Sequence, residues 1–232
     1  MGLLADAFRE AWRLLSTGDG AIYEITLRTA LITGTSTALS TMVGVPAGLA
    51  LALARFPGQR WLVALANAGT GMPPVVAGLI VSMLLWRSGP FGDFRLIYTP
   101  AAIVIAQFLI AMPVIVAVTA GAVMALPPSL HLQIRAMGAG TAQYLWLVAR
   151  EARLPLLVAV MAGFGSVISE VGASMMVGGN LAGETRVLTT AAVLEVSRGR
   201  FGTALALGII LLGMVLAIAV VLTIAQQRSQ RR

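Results

Sequence analysis

The sequence predicts an all-α integral membrane protein, a bundle of about five transmembrane helices led by an amphipathic helix. Three observations carry that prediction. Of the 232 residues, 58% are hydrophobic and 11% are charged, against about 25% charged in ordinary soluble domains. Mean hydropathy is +0.91. Apolar runs of about 20 residues or more recur between short polar loops, the length a helix needs to cross a ~30 Å hydrocarbon core. The runs do not alternate polar with apolar, so helices rather than barrel strands satisfy the backbone in lipid.

The elements follow in order. Residues 1–18 read as the amphipathic helix: Ala7, Phe8, Ala11, Leu14 and Leu15 sit near helical spacing with Asp6, Arg9, Glu10 and Arg13 among them. Its apolar stretches are too short for a signal-peptide core. Two readings stay open, a helix lying on the membrane surface and a helix packed on the bundle. The transmembrane domain is expected over residues 19–232. Its first span, about 25–54, is longer than the core thickness; Pro46 offers a kink, and Gly44 with Gly48 offers a GxxxG face for close packing. A polar turn at 55–60 precedes the second span, 61–86, which Pro73 and Pro74 interrupt. Freed carbonyls at such a break need protein or water to cover them. The third span is expected at 99–126 and carries Pro113.

Residues 127–155 form the longest non-spanning segment. Leu132, Ala136, Ala139, Tyr144, Leu147 and Val148 can share one face of it. The fourth span is expected at 156–178, a polar stretch at 178–202, and the last span at 203–225 before an Arg-rich tail. No internal repeat is visible. With five spans the 16 basic residues divide eight against eight between the two sides. The positive-inside rule therefore does not set the orientation.

Composition excludes several chemistries. There is no cysteine, and the one histidine, His131, reads as a solvated loop residue. Disulfides, thiolate metal sites and histidine clusters are excluded with them. No catalytic constellation is present, and no cofactor is expected. All 16 basic residues are arginine. A phosphate-binding P-loop needs a lysine, so any ATP-driven work falls to a partner subunit.

Several motifs resemble one family. Met137-Gly138-Ala139-Gly140, then Tyr144-Leu145-Trp146, then Leu154-Pro155 resemble the cytoplasmic loop of permease subunits of bacterial ABC importers. The family's leading Glu-Ala-Ala would fall at Leu132, Gln133 and Ile134, and the gap from Gly138 to Pro155 is about four residues long by comparison, close to one helical turn. Leu51 to Gly58, Met72-Pro73-Pro74-Val75-Val76-Ala77-Gly78 and Ile168-Ser169-Glu170-Val171-Gly172-Ala173 are similar to segments of the molybdate, tungstate and sulfate group. Gly178-Gly179-Asn180 followed by Thr185 to Thr190 resembles its tungstate branch.

The resemblance implies a type I importer permease fold in a bacterial inner membrane. It implies two copies forming one path, an ATP-binding cassette ATPase on the cytoplasmic loop, and a periplasmic or lipid-anchored binding protein outside. Contact with lipid is expected, and none with nucleic acid. The implied ATPase-coupling residues are Ala136, Met137, Gly138, Ala139, Gly140, Tyr144, Leu145, Trp146 and Glu151. The implied path or gate residues are Ser169, Glu170, Gly172, Pro73 and Pro74. Gly178, Gly179, Asn180 and Arg186 are candidates for the external docking loop, because glycine lets backbone N–H groups approach a partner closely. The resemblance also places Arg55, the coupling loop and the tail in the cytoplasm, and the N-terminal helix outside.

Glu170 lies in an apolar run, where ionisable groups are costly and face the interior. A dianionic cargo would be repelled by it at short range, which favours a structural or gating role. Arg28, four residues after Glu24, reads either as an ion pair at a helix end or as a charge that draws an anion in. The rival to the importer reading is a self-sufficient anion channel or secondary transporter, which would call for a charge relay or a repeat.

Overall fold

The computed structural model describes residues 2–18, 20–54 and 56–230. Arg55, Arg231 and Arg232, assigned above to the cytoplasmic side, lie outside the described residues, as does the side chain of Arg228. The described residues form eleven α-helices and no strand. They are α1 (Gly2–Thr17), α2 (Gly20–Leu53), α3 (Gln59–Thr70), α4 (Pro74–Leu85), α5 (Pro100–Met124), α6 (Pro128–Ala136), α7 (Thr141–Glu151), α8 (Arg153–Ile168), α9 (Gly172–Gly178), α10 (Leu188–Ser197) and α11 (Phe201–Gln230). Three of them, α2, α5 and α11, are each long and apolar enough to cross a membrane, and the count rises to five if each bent pair, α3 with α4 and α7 with α8, is one span.

The chain divides into two compact units. The first comprises Met1–Ser36, Pro73–Gln107 and Val167–Val220. Here α1 docks through its small residues: Ala7 and Ala11 are buried, and a Cβ on Gly202 of α11 would lie 2.6 Å from Glu10 Cβ. Phe8 and Trp12, on the adjacent stripe, are 60% and 75% exposed. Of the two readings of α1, packing on the bundle describes its alanine edge, and its aromatic edge remains open. Leu188 and Ala191 of α10 and Leu207 of α11 form a buried cluster against Ile22 and Ile25 of α2.

The second unit comprises Thr37–Met72, Phe108–Ser166 and Val221–Arg232. Gly44 and Gly48 lie flat against α5: a Cβ would meet Ile115 Cγ2 at 2.9 Å and Thr119 Cβ at 2.6 Å. Absent side chains allow that close approach, and dispersion between the helices replaces the hydrophobic drive that lipid cannot supply. Gly69 of α3 meets Pro113 of α5 in the same way, and Gly163 of α8 meets Ile115. Neither Pro46 nor Pro113 ends its helix.

Three expectations need correction. The run at 156–178 is not one helix: α8 stops at Ile168 and α9 starts at Gly172. The polar Ser169-Glu170 step interrupts the apolar pattern there. The stretch 178–202 is not wholly a polar surface segment, since it holds α10, whose Leu188, Thr189, Thr190, Ala191 and Glu195 are buried. Finally, 127–155 is two helices with a turn, so its residues do not share one face. Ala139, Tyr144, Leu147 and Val148 pack against the ends of α2 and α5 around Val123, Ile134 and Ala152, while Leu132 and Ala136 are exposed.

Candidate functional site

The turn between α6 and α7 is built by glycine. Gly138 has φ +76, a left-handed conformation that other residues adopt only at a cost. Its N–H bonds the carbonyl of Arg135, and the N–H of Met137 bonds that of Gln133, which closes the end of α6 in the usual C-terminal manner. Gly140 then caps α7, its N–H donating to Gln143 Oε1 at 3.1 Å.

This turn separates the expected coupling residues by direction. Tyr144 points inward: its hydroxyl and His131 Nδ1 are hydrogen-bonded at 2.9 Å, and the Arg135 guanidinium lies 5.1 Å from its ring centroid. His131 is therefore not simply solvated. Met137 and Trp146 point outward, 74% and 60% exposed, with the Arg150 guanidinium 5.2 Å from the Trp146 ring. Leu145, Ala136, Gly138 and Glu151 are exposed as well, whereas Ala139 is half-buried. No spacing rule brought His131 to Tyr144, because the contact crosses the turn.

The expected gate residues fall at the starts of two short helices lying side by side. Pro73 precedes α4 in extended conformation and Pro74 is its first residue, where a missing N–H costs nothing. A Cβ on Gly78 of α4 would sit 2.7 Å from Ala173 Cα, and one on Gly172 would sit 2.8 Å from Val75 Cγ2. Glu170 Oε1 accepts the Ala173 N–H at 3.0 Å, and the Glu170 carbonyl accepts the Thr189 hydroxyl at 3.0 Å. The carboxylate is thus used to cap α9, and Thr189 ties the same residue to α10. Ser169 beside it is exposed.

The loop after α9 is held by its own polar side chains. Gly179 has φ +68 and Asn180 φ +53; the Tyr98 ring covers Gly179, 2.9 Å from where a Cβ would be. The Asn180 amide donates to the Thr190 carbonyl at 3.3 Å. Its Oδ1 accepts from Arg186 Nε at 3.3 Å. Thr185 donates its hydroxyl to the Gly178 carbonyl at 2.5 Å. Gly178, Gly179, Asn180 and Arg186 are therefore together, with Asn180 buried and the outer surface left to Leu181, Ala182, Gly183 and Glu184.

Arg28 reaches this loop. It pairs with Glu24 at 2.5 Å and donates to the carbonyls of Gly183 at 2.7 Å and Arg186 at 3.3 Å. Both earlier readings of Arg28 omitted this strut between α2 and the loop. Arg198 and Arg200 both pair with Glu195, a carboxylate that sequence reasoning passed over because α10 was not recognised.

Residues 44–232 match the family described as "binding-protein-dependent transport system inner membrane component". The chain belongs to this family. It is 38% identical over 202 residues to a probable anion ABC transporter permease protein of Haloferax volcanii, covering 85% of this chain and 87% of the relative. It is 34% identical over 227 residues to the tungstate uptake system permease protein TupB of Peptoclostridium acidaminophilum, covering 98% and 100%. Among solved structures, the MetNI methionine ABC transporter in an inward-facing form aligns with a TM-score of 0.69 at 22% identity, over 90% of this chain and 94% of that one. That likeness concerns the fold. This permease is a membrane-embedded transport subunit, and its family's members are transport components rather than enzymes.

Proposed function

We propose that this permease is the membrane subunit of an ATP-driven importer for a tetrahedral oxyanion in a bacterial inner membrane, with tungstate as its cargo. The observation that carries the reading is the end-to-end likeness to a tungstate uptake permease, strengthened by the loop in which Thr185, Arg186 and Asn180 bond back onto Gly178 and each other.

Two copies form the path. The chain has no lysine for a P-loop, so a separate ATPase hydrolyses ATP. It docks on the face of α6 and α7 where Met137, Leu145 and Trp146 are exposed. Exposed Trp and Met of this kind are typical interface anchors. A binding protein delivers the anion at the outer loops. ATP-driven closure of the ATPase pair moves the spans between outward and inward access. The Glu170 carboxylate serves as a helix cap at the gate, and affinity for the anion resides in the binding protein, so release into the cell is fast.

Deleting the permease from its native host and measuring cell-associated tungsten, molybdenum and sulfur by elemental mass spectrometry tests the reading. Tungsten should fall severalfold and return with the wild-type chain. Unchanged tungsten with falling sulfur or molybdenum would assign a different oxyanion.

A further inference from the structure

Between α4 and α5 the chain folds into a tight cup rather than a plain loop. Gly89 and Gly92 make it possible: a Cβ on Gly89 would lie 2.2 Å from the Met83 carbonyl oxygen, and one on Gly92 would lie 2.3 Å from that of Trp86. The Phe91 N–H reaches back to the Leu84 carbonyl at 3.0 Å, and the Tyr98 N–H bonds the Val177 carbonyl at 2.8 Å. Arg95 and Tyr98 are held at positive φ, 51 and 63, which is uncommon away from glycine and is tolerated where surrounding bonds fix it. The cup borders an open cavity of about 860 Å³ lined by Trp86, Arg87, Asp93, Arg95, Ile97 and Tyr98 among others.

Two features give this cavity a chemistry. Every other described arginine side chain of the loops that the family resemblance places outside, Arg28, Arg186, Arg198 and Arg200, is occupied by a carboxylate or a carbonyl. The side chains of Arg87, Arg95 and Asp93 carry no hydrogen bond or ion pair among the described residues. The cavity also opens among aromatic side chains: Trp86, Phe91, Phe94 and Tyr98 are all exposed, at the end of one membrane helix and the start of the next. Aromatic residues collect where acyl chains give way to headgroups.

We propose that the cup binds the headgroup of an anionic phospholipid of the outer leaflet, a phosphodiester carrying free hydroxyls such as phosphatidylglycerol. The phosphate sits between Arg87 and Arg95, since guanidinium is the side chain best matched to phosphate oxygens. The headgroup hydroxyls donate to the Asp93 carboxylate. Two arginines and one aspartate leave one net positive charge, which balances the single negative charge of this lipid. A free tetrahedral oxyanion fits less well, because the cavity lies in the roughly 300–1,000 Å³ range of sites for much larger ligands. An oxyanion would also leave the carboxylate facing it.

The test uses the full-length permease in its transport complex, purified in mild detergent and titrated with dioleoyl phosphatidylglycerol, dioleoyl phosphatidylcholine, dioleoyl phosphatidic acid or inorganic phosphate while bound lipid is counted by native mass spectrometry. The wild type should retain phosphatidylglycerol in preference to phosphatidylcholine, and millimolar inorganic phosphate should not displace it. Arg87→Gln with Arg95→Gln should weaken retention at least tenfold while leaving the elution profile and melting temperature of the complex unchanged. A second variant, Asp93→Asn, should narrow the preference for phosphatidylglycerol over phosphatidic acid, which lacks the headgroup hydroxyls. Equal phosphatidylglycerol retention by wild type and the double variant would overturn the proposal. Displacement by inorganic phosphate would overturn it in favour of a free-anion site.

Discussion

Replacing Glu170 separates a capping carboxylate from a charge that acts on the cargo. Glu170→Gln keeps an oxygen acceptor for the Ala173 N–H, now 3.0 Å away, and gives up only its charge. Charge-assisted hydrogen bonds are about twice as strong as neutral ones, and a neutral bond contributes roughly 0.5–1.5 kcal/mol. The Gln variant should therefore lose about 1 kcal/mol. Glu170→Ala removes the acceptor altogether and leaves the N–H of buried Ala173 without a partner, a cost of about 1–3 kcal/mol. For a chain of this size 1 kcal/mol corresponds to roughly 2–4 °C in melting temperature. Thermal unfolding of the purified complex should rank wild type above Gln above Ala. Transport by the Gln variant should stay within about fivefold of wild type, the equivalent of the same 1 kcal/mol. Loss of transport in Glu170→Gln with an unchanged melting temperature would refute the reasoning, because the charge itself would then be acting in the path.

Trp146→Ala should weaken capture of the ATPase about 30-fold, the equivalent of a 2 kcal/mol interface anchor, with little change in permease stability because the ring is mostly exposed. Tyr144→Ala should instead lower the melting temperature, since it removes the ring packed in the α6–α7 core and the bond to His131; a pull-down titration beside a thermal melt distinguishes the two. Gly78→Val should cost about 1–3 kcal/mol by overpacking, because the nearest atom, Ala173 Cα at 2.7 Å, is backbone and cannot turn aside; an unchanged melt would contradict the close packing of α4 and α9. Asn180→Ala should destabilise more than Asn180→Gly by about 1 kcal/mol, although both lose the same side-chain bonds, because φ at this position is +53.

Much of the fold was legible in the residues because lipid imposes long apolar helices. The runs that became α2, α5 and α11 stand out by length alone, and Gly44 with Gly48 announced a close helix contact. What stayed hidden depended on partners distant in sequence. The break at Ser169-Glu170 is stabilised by Thr189, nineteen residues on. Helix α10 carries a buried Glu195 that looks like a loop residue until Arg198 and Arg200 are seen to pair with it. Asn180 was read as a docking residue from its glycine neighbours, and its side chain proves to be spent on Arg186 and Thr190. In the coupling segment the residue types were readable and their directions were not. Gly138 turns the chain, so Tyr144 goes to the core and Trp146 to the surface.

The central claim is that this permease moves its anion only when an ATPase drives it. The most direct measurement is the initial rate of tungstate accumulation in proteoliposomes containing the permease, with and without its ATPase, ATP and the loaded binding protein. Accumulation that requires all three, and that Trp146→Ala slows when the ATPase is limiting, is the predicted result. Accumulation by the permease alone, without ATP, would contradict the account and make the chain an autonomous anion channel or secondary transporter.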